Sequence, residues 1–116
     1  MMSYQEKLDK KLGEVATKYG ITIEQAKTLR AAMDRTWSRI AYDVMDGFDA
    51  CGEHWSDVYK DEAEMIAEMA LDANRIIDDY DNGDVDLSWV YKKEDGSFRS
   101  DVIALGESVL RADGRN

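Results

Sequence analysis

Acidic side chains recur at helical intervals through the middle of the chain. Successive members of the set are four, three, four, four and seven residues apart, so an α-helix would place them within about 80° of arc. We call this set the acidic row, and it consists of Asp57, Asp61, Glu64, Glu68, Asp72 and Asp79. Like charges one turn apart destabilise a helix by about 0.2–0.5 kcal/mol per pair. This unfavourable spacing therefore indicates a surface that binds basic groups of a partner.

The net charge of the chain lies in the same region. The 116 residues carry 15 Lys and Arg side chains and 25 Asp and Glu side chains, a net charge of −10. Residues 53–86 contain 12 acidic and two basic side chains, whereas residues 1–50 and 87–116 each sum to zero. An acidic balance argues against direct binding to nucleic acid and to an anionic membrane. It predicts a partner with a basic protein surface.

A rigid row of carboxylates can occupy a groove that binds DNA or RNA, because carboxylates one helical turn apart are separated by about 5–6 Å, similar in scale to backbone phosphates. The charge pattern resembles that of small acidic DNA mimics among phage and plasmid inhibitors of restriction and CRISPR enzymes. This resemblance, which is one of charge alone, implies an inhibitor of a nucleic-acid-handling enzyme. The acidic row would stand in for phosphates, with Tyr42 and Leu71 as apolar anchors at its edge.

Two structural interpretations explain the same acidic row. A charged outer face is normal for an amphipathic helix, so the row is then only solvated. Alternatively, Arg35 and Arg39, or the lysines over residues 7–18, neutralise it within the fold or across a dimer.

Catalytic chemistry has little support in the sequence. With one Cys and one His, the chain forms no internal disulfide and no His-rich zinc site, which predicts a cytoplasmic protein. We find no nucleophile–base set and no phosphate-binding glycine loop. We therefore expect no enzyme, no catalytic residues, no cofactor and no metal.

A magnesium-dependent hydrolase stays as an alternative. Asp43-x-x-Asp46 and Asp61-x-x-Glu64 have spacings comparable to the metal-binding motifs of all-α nucleotide pyrophosphatases. The E-E-x-x-E motif that begins the site in that family is absent here, which weakens the resemblance.

Helices must position these side chains, and the sequence predicts a single all-α domain over residues 1–116. Capping motifs at Ser3 and Thr22 predict helices that begin there, the first ending near Gly20 and the second near residue 48. A third helix is predicted from Ser56 to Tyr80. A small β-hairpin near residues 88–99 and a short helix over residues 102–111 complete the predicted fold.

The apolar face of the predicted third helix is unusually wide. Its apolar residues, Met65 and Met69 among them, span about 160° of arc, whereas one packed face needs about 100°. This width predicts burial on two sides, by a second layer of the same chain or by a second copy. A helical homodimer with a structural or regulatory role is therefore the main alternative function.

Overall fold

The computed structural model describes residues 3–71, 87–93 and 95–112. The fold is all-α, as predicted. The helices described are α1 (Tyr4–Tyr19), α2 (Ile23–Ala50), α3 (Trp55–Val58), α4 (Glu62–Leu71) and α5 (Val102–Arg111), with a 3-10 helix over Ser88–Val90.

Short polar motifs set the ends of α1 and α2. The Ser3 side chain accepts a hydrogen bond from the Glu6 backbone N–H at 3.2 Å, and Gly20 ends α1 in the left-handed conformation. Thr22 and Gln25 cap α2 reciprocally, each backbone N–H donating to the other side chain at 2.9 Å and 3.0 Å. These local bonds satisfy N–H groups that have no partner inside a helix, and they confirm the predicted starts.

The predicted single helix over residues 56–80 is wrong at its beginning. Tyr59 follows α3 in an extended conformation, and α4 begins only after Asp61. The Asp61 carboxylate accepts a hydrogen bond from the Glu64 backbone N–H at 3.0 Å, which stabilises the new helix start. The apolar spacing continues across the break, so periodicity did not reveal it. The predicted end of this helix lies outside the described residues.

A bridged turn replaces most of the predicted hairpin near residues 88–99. Lys92 and Phe98 form an isolated antiparallel bridge, and Gly96 adopts a φ of +86° in the turn between them. The segment before the bridge is the 3-10 helix. The Asp-Gly signal therefore placed the turn correctly, whereas the first predicted strand is helical.

The core forms around α4. This helix packs against α5 and α2, and α1 packs against α2 and α5. Buried residues of α4 point to both neighbours, and they are Ala63, Met65, Ile66, Ala67, Ala70 and Leu71. Over Glu62–Leu71, burial on two sides by the same chain accounts for the apolar face. The rest of the predicted apolar face lies outside the described residues, so the homodimer stays an alternative.

Gly106 of α5 marks the closest approach of three helices. A Cβ atom at this position would lie 2.6 Å from Leu71 Cδ1, 3.2 Å from Ala67 Cβ and 3.3 Å from Met33 Sδ. Since non-bonded carbon atoms do not approach to 2.6 Å, a larger residue would force the Leu71 side chain to move and would crowd Ala67 and Met33.

We expect Gly106→Val to lower the free energy of unfolding by about 1–3 kcal/mol, because overpacking displaces neighbouring side chains. Gly47→Ala is the matched control, since Gly47 lies in α2 and a Cβ atom added there would have nothing within 4 Å. It should raise stability by about 0.5–1 kcal/mol through helix propensity. Urea denaturation measures both, and an unaltered midpoint for Gly106→Val would contradict the close approach.

Candidate functional site

The acidic row is not one continuous helical face. Asp57 belongs to α3, where its Oδ2 accepts a hydrogen bond from the His54 backbone N–H at 3.4 Å. Of the described members, Glu64 and Glu68 lie on α4. Asp72 and Asp79 lie outside the described residues. The row is therefore divided by the break before α4.

Asp61 makes an ion pair inside the fold. Arg111 donates from Nη1 to Asp61 Oδ2 at 2.7 Å and from Nη2 to Oδ1 at 3.1 Å. The two side chains are 18% and 30% exposed. A second carboxylate, Glu107 Oε2, lies 3.7 Å from Arg111 Nη2. This two-point contact ties the start of α4 to the end of α5, so Asp61 has a structural role here.

The ion pair favours the charged form of both groups. The hydrogen bonds from Arg111, followed by the one from the Glu64 backbone N–H, hold the pKa of Asp61 below its usual value. The Asp61 carboxylate in turn raises the pKa of Arg111. The sequence suggested Arg35 and Arg39 as internal partners of the acidic row. It gave no sign of Arg111, because residues 50 positions apart have no spacing relationship.

The carboxylates of α4 differ from Asp61. Glu68 is exposed, and Glu62 and Glu64 are half-buried. None of the three makes an ion pair with another described residue. They are therefore the acidic side chains of α4 that face the surroundings without a basic partner in the described part of the chain.

The two predicted apolar anchors have opposite outcomes. Tyr42 of α2 is 83% exposed, which suits a contact residue. Leu71 is only 2% exposed, because α5 covers it beside Gly106. The prediction that Leu71 lies on an open surface is wrong. Leu71 lies on the acidic side of the helical wheel, but α5 packs against that side at this position. A helical wheel shows angles around one helix and not the helices packed against it.

A shallow apolar groove lies where the end of α2, the loop after it and α4 meet. Its volume is about 520 Å³. Val44, Phe48 and Met69 contribute apolar walls, and the exposed carboxylates of Asp43 and Glu53 lie at its edge. The sequence did not reveal this groove, because its walls come from segments that no motif connects. An apolar groove with an acidic rim suits a partner that carries basic side chains around an apolar anchor.

The magnesium alternative gains no support from the positions of its residues. Asp61, which belongs to one of the two proposed motifs, is held by Arg111. Within residues 3–71, 87–93 and 95–112, no three His, Cys, Asp or Glu side chains converge closely enough to hold a metal ion.

Comparisons with known proteins give no information on the function of this chain. No protein-family model matches this sequence, and neither a curated protein nor a solved structure matches it. In the described part of the chain, no helix combines the length and apolar character needed to cross a membrane.

We expect Asp61→Asn to lower the free energy of unfolding at pH 7 by about 1–2 kcal/mol, because it weakens a charge-assisted bidentate contact. Since folding lowers the pKa of Asp61, this stabilisation is present above the unfolded pKa of about 3.9 and is lost as the pH falls below it. The stability difference between the wild type and Asp61→Asn should therefore shrink between pH 7 and pH 3.

Chemical denaturation at the two pH values provides the measurement. Asp46→Asn is the matched control, because Asp46 is exposed on α2, and its effect should stay within about 0.5 kcal/mol. Equal effects of the two substitutions at pH 7 would show that the Arg111 contact contributes nothing to stability.

Proposed function

We propose that this protein is a small acidic, inhibitor-like protein that binds the basic surface of a nucleic-acid-handling enzyme. The supporting observation is the concentration of the whole net charge, −10, within residues 53–86. In that segment the three carboxylates of α4, Glu62, Glu64 and Glu68, have no basic partner in the described part of the chain.

The fold supports this proposal by holding the α4 carboxylates on a rigid element. Glu64 and Glu68 lie one helical turn apart, a separation of about 5–6 Å between their Cβ atoms. The opposite sides of α4 are buried against α2 and α5. The Asp61–Arg111 contact fixes the start of the same helix. A surface that is already ordered loses little conformational entropy when it binds.

The groove beside α4 adds an apolar contact surface, which a charged face alone lacks. Carboxylates steer a basic partner and increase the association rate, but exposed ion pairs add little affinity. Apolar anchors in a desolvated groove contribute most of the binding energy of many interfaces. Phe48 and Met69, flanked by Asp43 and Glu53, offer both kinds of contact within one concave region.

The more specific hypothesis is a DNA mimic of the anti-restriction or anti-CRISPR type. In it, Glu64 and Glu68 occupy positions on the enzyme that backbone phosphates would otherwise take, with Asp57, Asp72 and Asp79 extending the acidic surface. Asp61 is removed from this set because it is paired with Arg111. Tyr42, exposed on α2, remains an apolar contact candidate, whereas Leu71 does not.

Glu68→Lys should weaken capture of the partner about tenfold at 0.1 M salt, because a charge reversal replaces attraction by repulsion. Glu14→Lys is the matched control, since Glu14 is also an exposed helical carboxylate and lies in the segment of zero net charge. Both proteins and the wild type are immobilised and exposed to nuclease-treated bacterial lysate at about 0.1 M and 0.5 M salt.

The captured protein is then identified, purified and tested for nucleic-acid binding with and without this protein. The proposal requires a nucleic-acid-handling enzyme that the wild type and Glu14→Lys retain at low salt, and whose nucleic-acid binding the wild type inhibits. Equal capture by Glu68→Lys and Glu14→Lys would contradict a role for the α4 carboxylates. Capture without inhibition would contradict the mimic hypothesis.

A further inference from the structure

A second concave site lies away from the α4 carboxylates. It is a pocket of about 620 Å³ between the α1–α2 turn, the 3-10 helix and the bridged turn before α5. This volume lies within the range of pockets that hold small organic ligands. The side chains important here are Tyr19, Trp89, Lys92, Lys93, Asp95 and Arg99.

The described lining of the pocket contains more cations than anions, although the chain is acidic. Three of its described lining residues are cations, Lys92, Lys93 and Arg99, and one is an anion, Asp95. One oxygen of Asp95 already accepts two hydrogen bonds from Ser97, at 2.9 Å from the backbone N–H and 2.6 Å from the hydroxyl. The described lining therefore has an excess of two positive charges in a chain of net charge −10.

Arg99 is the least satisfied cation of this lining. Its side chain is only 6% exposed. Its Nη1 lies 3.3 Å from the Tyr19 carbonyl oxygen and 3.5 Å from Asp101 Oδ1, both long contacts for a charged donor. Its Nε is buried and has no hydrogen-bond partner among the described residues. A buried donor without a partner is unfavourable.

The guanidinium of Arg111, in the same chain, has the two-point hydrogen-bond partner that Arg99 lacks among the described residues. It makes two contacts to one carboxylate, at 2.7 Å and 3.1 Å. Arg99 has no such two-point partner in the part of the chain that the structure describes. A planar guanidinium binds a phosphate or carboxylate through two hydrogen bonds. An anion in the adjacent pocket would therefore accept the hydrogen bonds for which Asp101 offers only one long contact, at 3.5 Å.

Two aromatic side chains also line the pocket, and the Lys18 ammonium lies over the Tyr19 ring at 5.5 Å from its centroid. Tyr19 and Trp89 are half-buried and pack against the core. The Tyr19 hydroxyl lies 3.2 Å from Ser108 Oγ on α5, which holds its ring in place. Ordered rings beside cations favour a ligand with an anionic group and a planar body.

We propose that this pocket binds a small organic phosphate, with the phosphate near Arg99, Lys92 and Lys93 and a planar body against Trp89 and Tyr19. A phosphate monoester carries about 1.5–2 negative charges at neutral pH, so it would pair with the cations of the described lining. The site shares no residue with the α4 surface, so it stands whether or not the proposed function does.

The test is a titration of ¹⁵N-labelled protein followed by NMR. Adenosine monophosphate and inorganic phosphate are the probes, and sodium chloride at equal ionic strength is the reference. We expect saturable shifts of the Arg99 Nε–H and Trp89 indole N–H signals, with adenosine monophosphate binding more tightly than phosphate. No saturation below about 10 mM of either probe, a range that corresponds to very weak binding, would overturn the proposal.

Charge-removing variants separate specific binding from general attraction. Lys93→Gln should weaken adenosine monophosphate binding about tenfold, the effect of losing one charge-assisted contact. Lys93 is exposed, so this variant should fold. Lys11→Gln, at an exposed position of α1 outside the pocket lining, should bind like the wild type.

Each remaining outcome decides against the proposal. Equal losses in Lys93→Gln and Lys11→Gln, or equal shifts with sodium chloride, would show nonspecific attraction. Equal affinity for phosphate and adenosine monophosphate would overturn the role of the aromatic walls and hence an organic ligand.

Discussion

The contact between α4 and α5 at Gly106 limits which side chains α4 can present to a partner. Because a Cβ there would lie only 2.6 Å from Leu71 Cδ1, α5 covers a strip of α4 that a helical wheel assigns to solvent. Burial by α2 on another side leaves α4 a narrow exposed strip. Glu68 lies on that strip, whereas Leu71 does not. The packing of small residues therefore limits the surface chemistry of the central helix.

Charges in this fold do three different things, and the distinction depends on their partners. The Asp61 carboxylate is ion-paired with Arg111 and contributes to stability. Glu64 and Glu68 have no basic partner in the described part of the chain, so no described cation offsets their mutual repulsion. Arg99 is buried with incomplete contacts. Net charge alone would have treated all of these groups as equivalent.

Local signals in the sequence predicted the parts of the fold that depend on neighbouring residues. The caps at Ser3 and Thr22 and the end of α1 at Gly20 depend on a few adjacent positions, and the structure confirms them. The break before α4 was missed, because its apolar spacing mimics a continuous helix. Packing between distant segments was equally invisible, as Leu71 shows.

The candidate sites likewise depend partly on local sequence and partly on contacts between distant segments. The charge distribution of the α4 surface is a property of composition and spacing, so the sequence could predict Glu64 and Glu68. The Asp61–Arg111 pair joins positions 50 residues apart, and no periodicity relates them. The Arg99 pocket requires the α1–α2 turn to meet residues 88–99, since its cations and Trp89 come from residues 88–99 and Tyr19 comes from α1.

The described lining of the pocket carries positive charge in a chain that is acidic overall. A uniformly negative surface would repel small anions from every direction. Two lysines and a buried arginine reverse that repulsion over a short range, because the Debye length is only about 8 Å at physiological salt. Carboxylates farther away than this are largely screened. Lys92, Lys93 and Arg99 would therefore attract an anion locally, in spite of the net charge of the chain.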